Sequence, residues 1–486
     1  MAEGENRPLT REEWIARVRE EGREETIRSE MIRLGFWSND SLPEEERRQQ
    51  ALEDEEYRRL RQKLAELQRE SAKLENIDQL LKEARRKRIE ESKKKRAERK
   101  ERRERERAEA KKRWESYRQH HIVHAGVGVS GGLQETEWDE EKLRQHQLPL
   151  IRTAEELAEA MGITLSRLKW LTYHRQTATV CHYYRFTIPK KSGGRREISS
   201  PKKALREAQS WIKEQILDRI PPHPAACGFV PGKSTLDHAR QHLRQHVVVK
   251  MDLKDFFPSI TFYRVKGLFQ SFGYSELIST LLALLCTEPP RKEVTFDGKV
   301  YHVAIGERQL PQGACTSPAI TNLICRSLDR RLEGLAKAKG FRYSRYADDL
   351  AFSGGIDGEQ QIGSLLNMAR RIIRDERFEV QEEKTRVMRS SNRQKITGIV
   401  VNEKLNLRRR ELRAFRALLH SVEKNGLAQE NRHHHPDFWG YIKGMANYIR
   451  MVRPDWEARL AKQLVRIGKK HELPVPKWCQ QAVVKG

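Results

Sequence analysis

RYSRYADDLAFSGG, residues 342–355, sets two adjacent aspartates, Asp348 and Asp349, between a β-prone aromatic run and the apolar triplet Leu350, Ala351 and Phe352. Neighbouring carboxylates beside surface destined for burial repel each other and lose hydration, so the pair is costly unless positive charge is held against it. A divalent cation meets that need. A plain hairpin turn is the competing reading, but turn chemistry favours Asp-Gly or Asn-Gly, and here Leu350 follows the pair. Four residues alone do not decide between the two.

Three other segments bear on the choice. In VVVKMDLKDFFPSI, residues 247–260, the valines predict a strand that delivers Asp252 at its end, with Asp255 three residues on. Strand ends are where sheets present catalytic groups, and two strands that each end in aspartate can converge on a pair of cations. LPQGACTSPAITNLICRSLD, residues 310–329, reads as a Gln-Gly turn, then small residues and a helix, suited to close approach of a planar substrate to the backbone. HYYRFTIPKKSGGRREISSP, residues 182–201, alternates like two strands joined at Gly193 and Gly194, a basic hairpin.

The whole chain, 486 residues, is long enough for two to four domains. Its 95 Lys+Arg against 69 Asp+Glu give a formal charge of +26 and a pI near 9.8, which predicts a polyanionic partner, nucleic acid before membrane. The longest apolar run, Leu277 to Cys286, is too short to span a bilayer, and the N-terminus lacks the apolar segment of a secretory signal, so a cytoplasmic location is expected. The six cysteines form no C-x-x-C pair and read as buried thiols.

Residues 1 to about 36 read as a small helical unit with a capping box at Thr10 and Glu13. From Pro43 to Tyr117 there is no glycine and no second proline, which predicts one long charged helix. Between Lys82 and Arg113 it carries 18 Lys/Arg and 8 Glu, either a solvated rod held by i,i+4 ion pairs or a nucleic-acid contact. Gly126, Gly128 and Gly131 spell G-x-G-x-x-G, but without a βαβ setting they read as a flexible linker. Thr153 to His174 reads as a helix pair whose packing is the commoner explanation than major-groove reading. CGFVPGKST, residues 227–235, spaces its glycines one residue too closely for a phosphate loop.

Taken in order, basic hairpin, Asp strand, Gln-Gly turn with helix, and Asp-Asp hairpin, residues from about Leu148 to Gln480 resemble the fingers and palm of reverse transcriptases, most closely the bacterial retron enzymes with long N-terminal extensions. Two near matches accompany this: HARQH, residues 238–242, carries His238 where the family has Asn, and Ile396, Thr397 and Gly398 stand for its Val-Thr-Gly. The resemblance implies an α+β right-hand polymerase fold with fingers, a palm built on an antiparallel sheet and a helical thumb, preceded by a long charged helical extension. The expected divisions are 1–135 for extension and linker, 136–250 for N-terminal helices and fingers, 251–400 for the palm and 401–486 for the thumb.

By the same resemblance Asp252, Asp348 and Asp349, with the carbonyl of Leu253, would hold two Mg²⁺ ions about 3.5–4 Å apart, with Mn²⁺ as a substitute. Lys190 and Arg196 would neutralise the triphosphate, Gln312 would line the nucleotide pocket and Phe257 would be the steric gate that selects deoxynucleotides. His242, Thr397 and Gly398 would lie against nucleic acid, and Trp439, Tyr441, Tyr448 and Trp456 interleave with cations in the thumb. The implied activity is RNA-directed DNA synthesis on a structured noncoding RNA, primed from a 2′-hydroxyl to give branched RNA-linked msDNA, through an RNA/DNA hybrid and from dNTPs. No RNase H segment is evident, so template removal would fall to a host RNase H; the extension could dock a protein effector, with antiphage defence as a setting. The rivals are another bacterial reverse transcriptase, of group II intron or defence kind, and a noncatalytic RNA-binding scaffold on the palm fold.

Overall fold

The computed structural model describes residues 8–37, 43–74, 77–189 and 193–484. It divides into two compact units, Met1–Arg113 and Trp114–Gly486. In the first, Thr10 caps the helix Arg11–Glu21 through a reciprocal box with Glu13, and Gly22, at φ 92°, turns the chain into Arg23–Arg33. Glu30, almost buried, is paired with Arg17 at 3.1 Å and Arg33 at 2.7 Å. The long charged region is helical over Glu44–Leu74 and Ile77–His120, and residues 75–76, on which the expected single helix depends, lie outside the described residues.

The second unit is organised by a four-stranded antiparallel sheet in the spatial order Phe341–Tyr346, Asp349–Gly354, Val247–Asp252, Arg386–Arg389. Val247–Asp252 has a partner on either edge and apolar packing on both faces. Val247, Val249 and Met251 join one core with Leu332, Leu365 and Phe352, while Val248 and Ala351 join another with Ile399, Phe415 and Ile442. That double burial explains an unbroken valine run where a half-exposed strand would alternate polar with apolar. The second core is the helical C-terminal region: Arg409–Asn425, Phe438–Val452 and Glu457–Lys470 pack around it, with Trp439 buried and its Nε1 donating to Pro474 O at 2.9 Å. Tyr441 remains 44 % exposed, whereas Tyr448 and Trp456 are half-buried.

The apolar run Leu277–Cys286 is a fully buried core helix, and among the described residues no helix is long and apolar enough to cross a membrane. The helix pair Ala154–Ala160 and Leu165–Thr172 sends Leu157, Ala158, Leu168 and Leu171 into the main core, so packing accounts for its pattern.

The glycine-rich stretch corrects the linker expectation. Ile122, Ala125, Val129 and Leu133 are all buried in the main core, and His174 N donates to Ala125 O at 2.7 Å. A Cβ on Gly126 would stand 2.1 Å from His174 O, so this glycine serves close packing rather than flexibility.

Candidate active site

The three aspartates converge because of strand register. Asp252, the last residue of its strand, is the antiparallel partner of Asp349, the first residue of the next. Asp348 lies in the turn that joins Phe341–Tyr346 to Asp349–Gly354, and Leu253 N donates to Asp348 O at 2.9 Å, carrying the pairing one step past Asp252. The turn places Ala347 at φ 54°, and the loop opposite approaches it so closely that a Cβ on Gly228 would come within 2.6 Å of Ala347 N. A bulkier residue at 228 would displace the aspartates.

Electrostatics at the site follow from this crowding. Burial raises the Asp348 pKa, and the charges of Asp252 and Asp349 push it further. Burial also raises Asp349, opposed by Lys250. Lys250 Nζ lies 2.7 Å from Asp349 Oδ1, yet that oxygen, buried, receives no well-aligned hydrogen bond among the described residues. Lys384 Nζ bonds Asp252 Oδ1 at 2.7 Å, which raises the lysine pKa. Among the described residues no three acidic, histidine or cysteine side chains stand ready at metal-ligand spacing. Two ammonium groups, instead, lie against the carboxylates whose charge a cation would balance. Three carboxylates gathered by strand register, two of them with pKa values raised by burial, and all-oxygen donor chemistry fit a hard divalent ion that displaces those lysines.

Asp252 and Asp348 line a cleft of about 1160 Å³, which also brings together Arg196, Phe257 and Gln312; Asp349 stands next to them through its register with Asp252. Arg196 projects from the hairpin Tyr183–Pro189 and Arg195–Pro201, opposite Ile188. Lys190 lies outside the described residues. The Phe257 ring is half-buried, 6.2 Å from that of Phe229. Gln312 O accepts from Ser199 N at 2.7 Å, and a Cβ on Gly313 would meet Ser199 O at 2.9 Å. The close approach made by the Gln-Gly turn is therefore to the hairpin backbone, so that turn and hairpin form one wall.

His242 departs from expectation. It is fully buried, Nδ1 at 2.7 Å from Ser353 Oγ and Nε2 at 2.6 Å from Ser344 Oγ, and burial holds its pKa down to about 3. It braces the two strands of the Asp-Asp hairpin and has no surface to offer nucleic acid. His238, equally buried, packs 5.8 Å from both His242 and Tyr346. Thr397 (φ 43°) and Gly398 (φ 96°) are the two central residues of a tight hairpin between Lys395–Ile396 and Ile399–Val400; the turn accounts for Gly398, whereas the β-branched Thr397 is strained there. Both are half-buried, with Thr397 Oγ1 donating to Thr235 O at 3.3 Å.

The sequence reading missed Lys384, Lys250 and Arg185. Arg185 lines the cleft, donates to Arg291 O and Pro289 O at 3.0 and 3.1 Å, and keeps a buried Nε without a partner among the described residues. Only the alternation of the basic hairpin hinted at it.

Residues 188–401 match the family model described as reverse transcriptase (RNA-dependent DNA polymerase). The chain is 42 % identical over 360 residues to the retron Mx162 reverse transcriptase of Myxococcus xanthus, covering 70 % of this chain and 73 % of that protein. The chain belongs to the retron reverse transcriptases. The retron Mx65 enzyme of the same organism is 41 % identical over 67 % of this chain and 74 % of its own. The retron Ec86 enzyme of Escherichia coli is 30 % identical over 68 % and 94 %. This retron reverse transcriptase is thus an RNA-directed DNA polymerase of a family that works with divalent metal ions, and the cleft just described lies within the matched residues apart from Arg185.

Proposed function

We propose that this retron reverse transcriptase copies part of a structured noncoding RNA into DNA, starting from a 2′-hydroxyl of the same RNA and leaving a branched, RNA-linked product. The observation that carries the catalytic part is the register that pairs Asp252 with Asp349 beside Asp348, at a cleft whose wall also carries Arg185, Arg195 and Arg196. These three carboxylates and the Leu253 carbonyl would hold two Mg²⁺ ions, with Mn²⁺ as a substitute. Bound there, the ions would activate the primer hydroxyl and stabilise charge on the departing pyrophosphate.

The remaining roles belong to the chain itself. Arg196, and Lys190 outside the described residues, meet the triphosphate charge, Arg196 through its planar fork. Gln312 shapes the base-pair side of the pocket, and Phe257 fills the space a ribose 2′-hydroxyl would need. Lys384 and Lys250 hold the carboxylates in place until metal arrives.

Incubation of the chain with its candidate RNA, dNTPs and Mg²⁺ should yield DNA covalently attached to RNA, separable by a 2′–5′ debranching enzyme. DNA begun only from an added 3′-hydroxyl primer would retain the polymerase and remove the branched priming.

A further inference from the structure

The helix Ile77–His120 buries no residue, and its charges are not scattered evenly round it. Arg85, Arg88, Ser92, Arg96, Arg99, Arg103 and Arg107 follow at steps of 3, 4, 4, 3, 4 and 4. At about 100° per residue they fall in one arc of roughly 100°, a stripe about 33 Å long. An eleven-residue repeat of this kind stays close to one face of a straight helix. The six cations inside the arc are all arginines; the eight lysines between Lys82 and Arg113 all fall outside it.

Three of the eight glutamates between Lys82 and Arg113 pair with cations off the stripe. Glu101 binds Arg105 at 2.6 Å, Glu104 lies 4.0 Å from Lys100, and Glu106, at the edge of the arc, lies 3.6 Å from Arg102. Among the described residues none of the six stripe arginines is ion-paired. Around Ser92, the small residue of the stripe, Arg88, Glu91, Lys95, Arg96 and Arg99 wall an open trough of about 440 Å³.

A mere spacer gains nothing from this arrangement, because like charges three and four residues apart destabilise a helix. Membrane insertion needs an apolar face, and the only apolar residues from 90 to 113 are Ala97, Ala108 and Ala110. Arginine selected over lysine on one line fits the bidentate geometry of phosphate. A rigid rod fits a partner whose phosphates are also rigidly spaced.

We propose that the stripe from Arg85 to Arg107 is a rail for the phosphate backbone of a duplex segment of RNA. That the duplex is RNA rests on reading the chain as an RNA-copying polymerase; the charge pattern does not. Backbone contacts carry no sequence information, so the rail grips by charge and shape.

The test uses the full chain and a blunt twenty-base-pair RNA duplex with blocked ends, titrated between 50 and 200 mM salt. One variant changes the six stripe arginines to glutamine; a control changes six off-stripe cations, Arg86, Lys87, Lys94, Arg102, Arg105 and Lys112, to glutamine. The stripe variant is expected to bind at least tenfold more weakly, with a log–log salt slope shallower by about four to five, given roughly 0.7–0.9 per lost phosphate contact. The control should lose less than a third of that slope. Equal losses in the two variants, or none in either, overturn the proposal, as does loss confined to one RNA sequence. So does unchanged RNA binding with lost affinity for phosphatidylserine vesicles, which would assign the stripe to a membrane surface.

Glutamine is a good helix former, and far-UV circular dichroism checks the helix. Should it melt, replacing the same six arginines by lysine decides: threefold or weaker binding with an unchanged slope supports the rail, and unchanged affinity overturns it. Extension of a short primer–template by the stripe variant at the wild-type rate is also expected. If the wild-type chain copies no RNA while the duplex result holds, the proposed function fails and the rail stands as a duplex-binding surface.

Discussion

Arg345 and Asp329 form a two-pronged ion pair, Nε to Oδ1 and Nη2 to Oδ2 both at 2.7 Å, with neither side chain exposed to solvent. Tyr343 OH donates to the same Asp329 Oδ1 at 2.8 Å. Arg345 Nη1 reaches Asn322 Oδ1 at 3.0 Å and Ala347 O at 3.2 Å. The helix bearing Asp329 thereby holds the turn that presents Asp348. Removing one partner leaves a buried charge uncompensated, so Asp329→Ala should lower stability by about 3–5 kcal/mol. The double change Asp329→Leu with Arg345→Met should cost less than the single one. Denaturant unfolding of the three proteins tests this, and a single-variant loss under about 1 kcal/mol would sink it.

Asp348→Asn or Asp349→Asn should abolish DNA synthesis while RNA binding persists, because metal affinity needs those charges and template affinity comes from basic surfaces. Primer extension and filter binding on the same preparations separate the two. Extension near the wild-type rate by either variant would remove these residues from the metal site.

Phe257→Val should admit ribonucleotides by opening space in the cleft wall, with little effect on dNTP incorporation. Single-nucleotide incorporation of rGTP against dGTP is the measurement. Unchanged discrimination would count against the gate.

Lys384→Gln removes the ammonium that bonds Asp252 and leaves the three carboxylates less balanced. Cation affinity should rise by a few-fold, a modest change because the lysine is 56 % exposed and solvent screens it. Mn²⁺ titration of the free protein reads this directly. Equal or weaker Mn²⁺ binding would mean that the lysine does not compete with metal.

Three buried histidines give the fold an acid limit. His174 and His238 have pKa values held to about 4 and His242 to about 3, chiefly by burial, against 6.5 for an ordinary histidine. The unfolded chain therefore binds more protons below about pH 6.5. Stability from these groups is complete above that pH and is lost as pH falls toward 4 and then 3, by up to about 1.4 kcal/mol per pH unit for each proton. Urea midpoints between pH 7 and 4.5 should fall steeply, and less so for His242→Gln. A flat profile in the wild type would contradict the neutral buried state.

The Asp strand, the basic hairpin and the Asp-Asp hairpin were legible because each is a local pattern whose period and turn residues lie within a dozen positions. The sequence also indicated Arg196, Phe257 and Gln312 as cleft residues, through the family's motif order. Lys384 was not legible: it meets Asp252 from 132 residues away, and nothing local marks that lysine among so many. His242 was misassigned because a motif cannot say which side of a sheet a ring faces; Ser344 and Ser353, its partners, lie more than a hundred residues on. The glycine-rich stretch was misread because composition reports backbone freedom, whereas its four buried apolar side chains depend on a core assembled from distant segments.

That stretch has a consequence for how this enzyme can be altered or inherited. Residues 122–133 are sewn into the polymerase core, with Gly126 pressed on His174 and Ile122, Ala125, Val129 and Leu133 buried. A graft boundary placed within it would strip apolar cover from the catalytic unit, whereas one placed before Ile122 would not. Gene fusions that exchange one N-terminal arm for another should therefore have their crossover points upstream of residue 122, leaving the glycine stretch to travel with the polymerase.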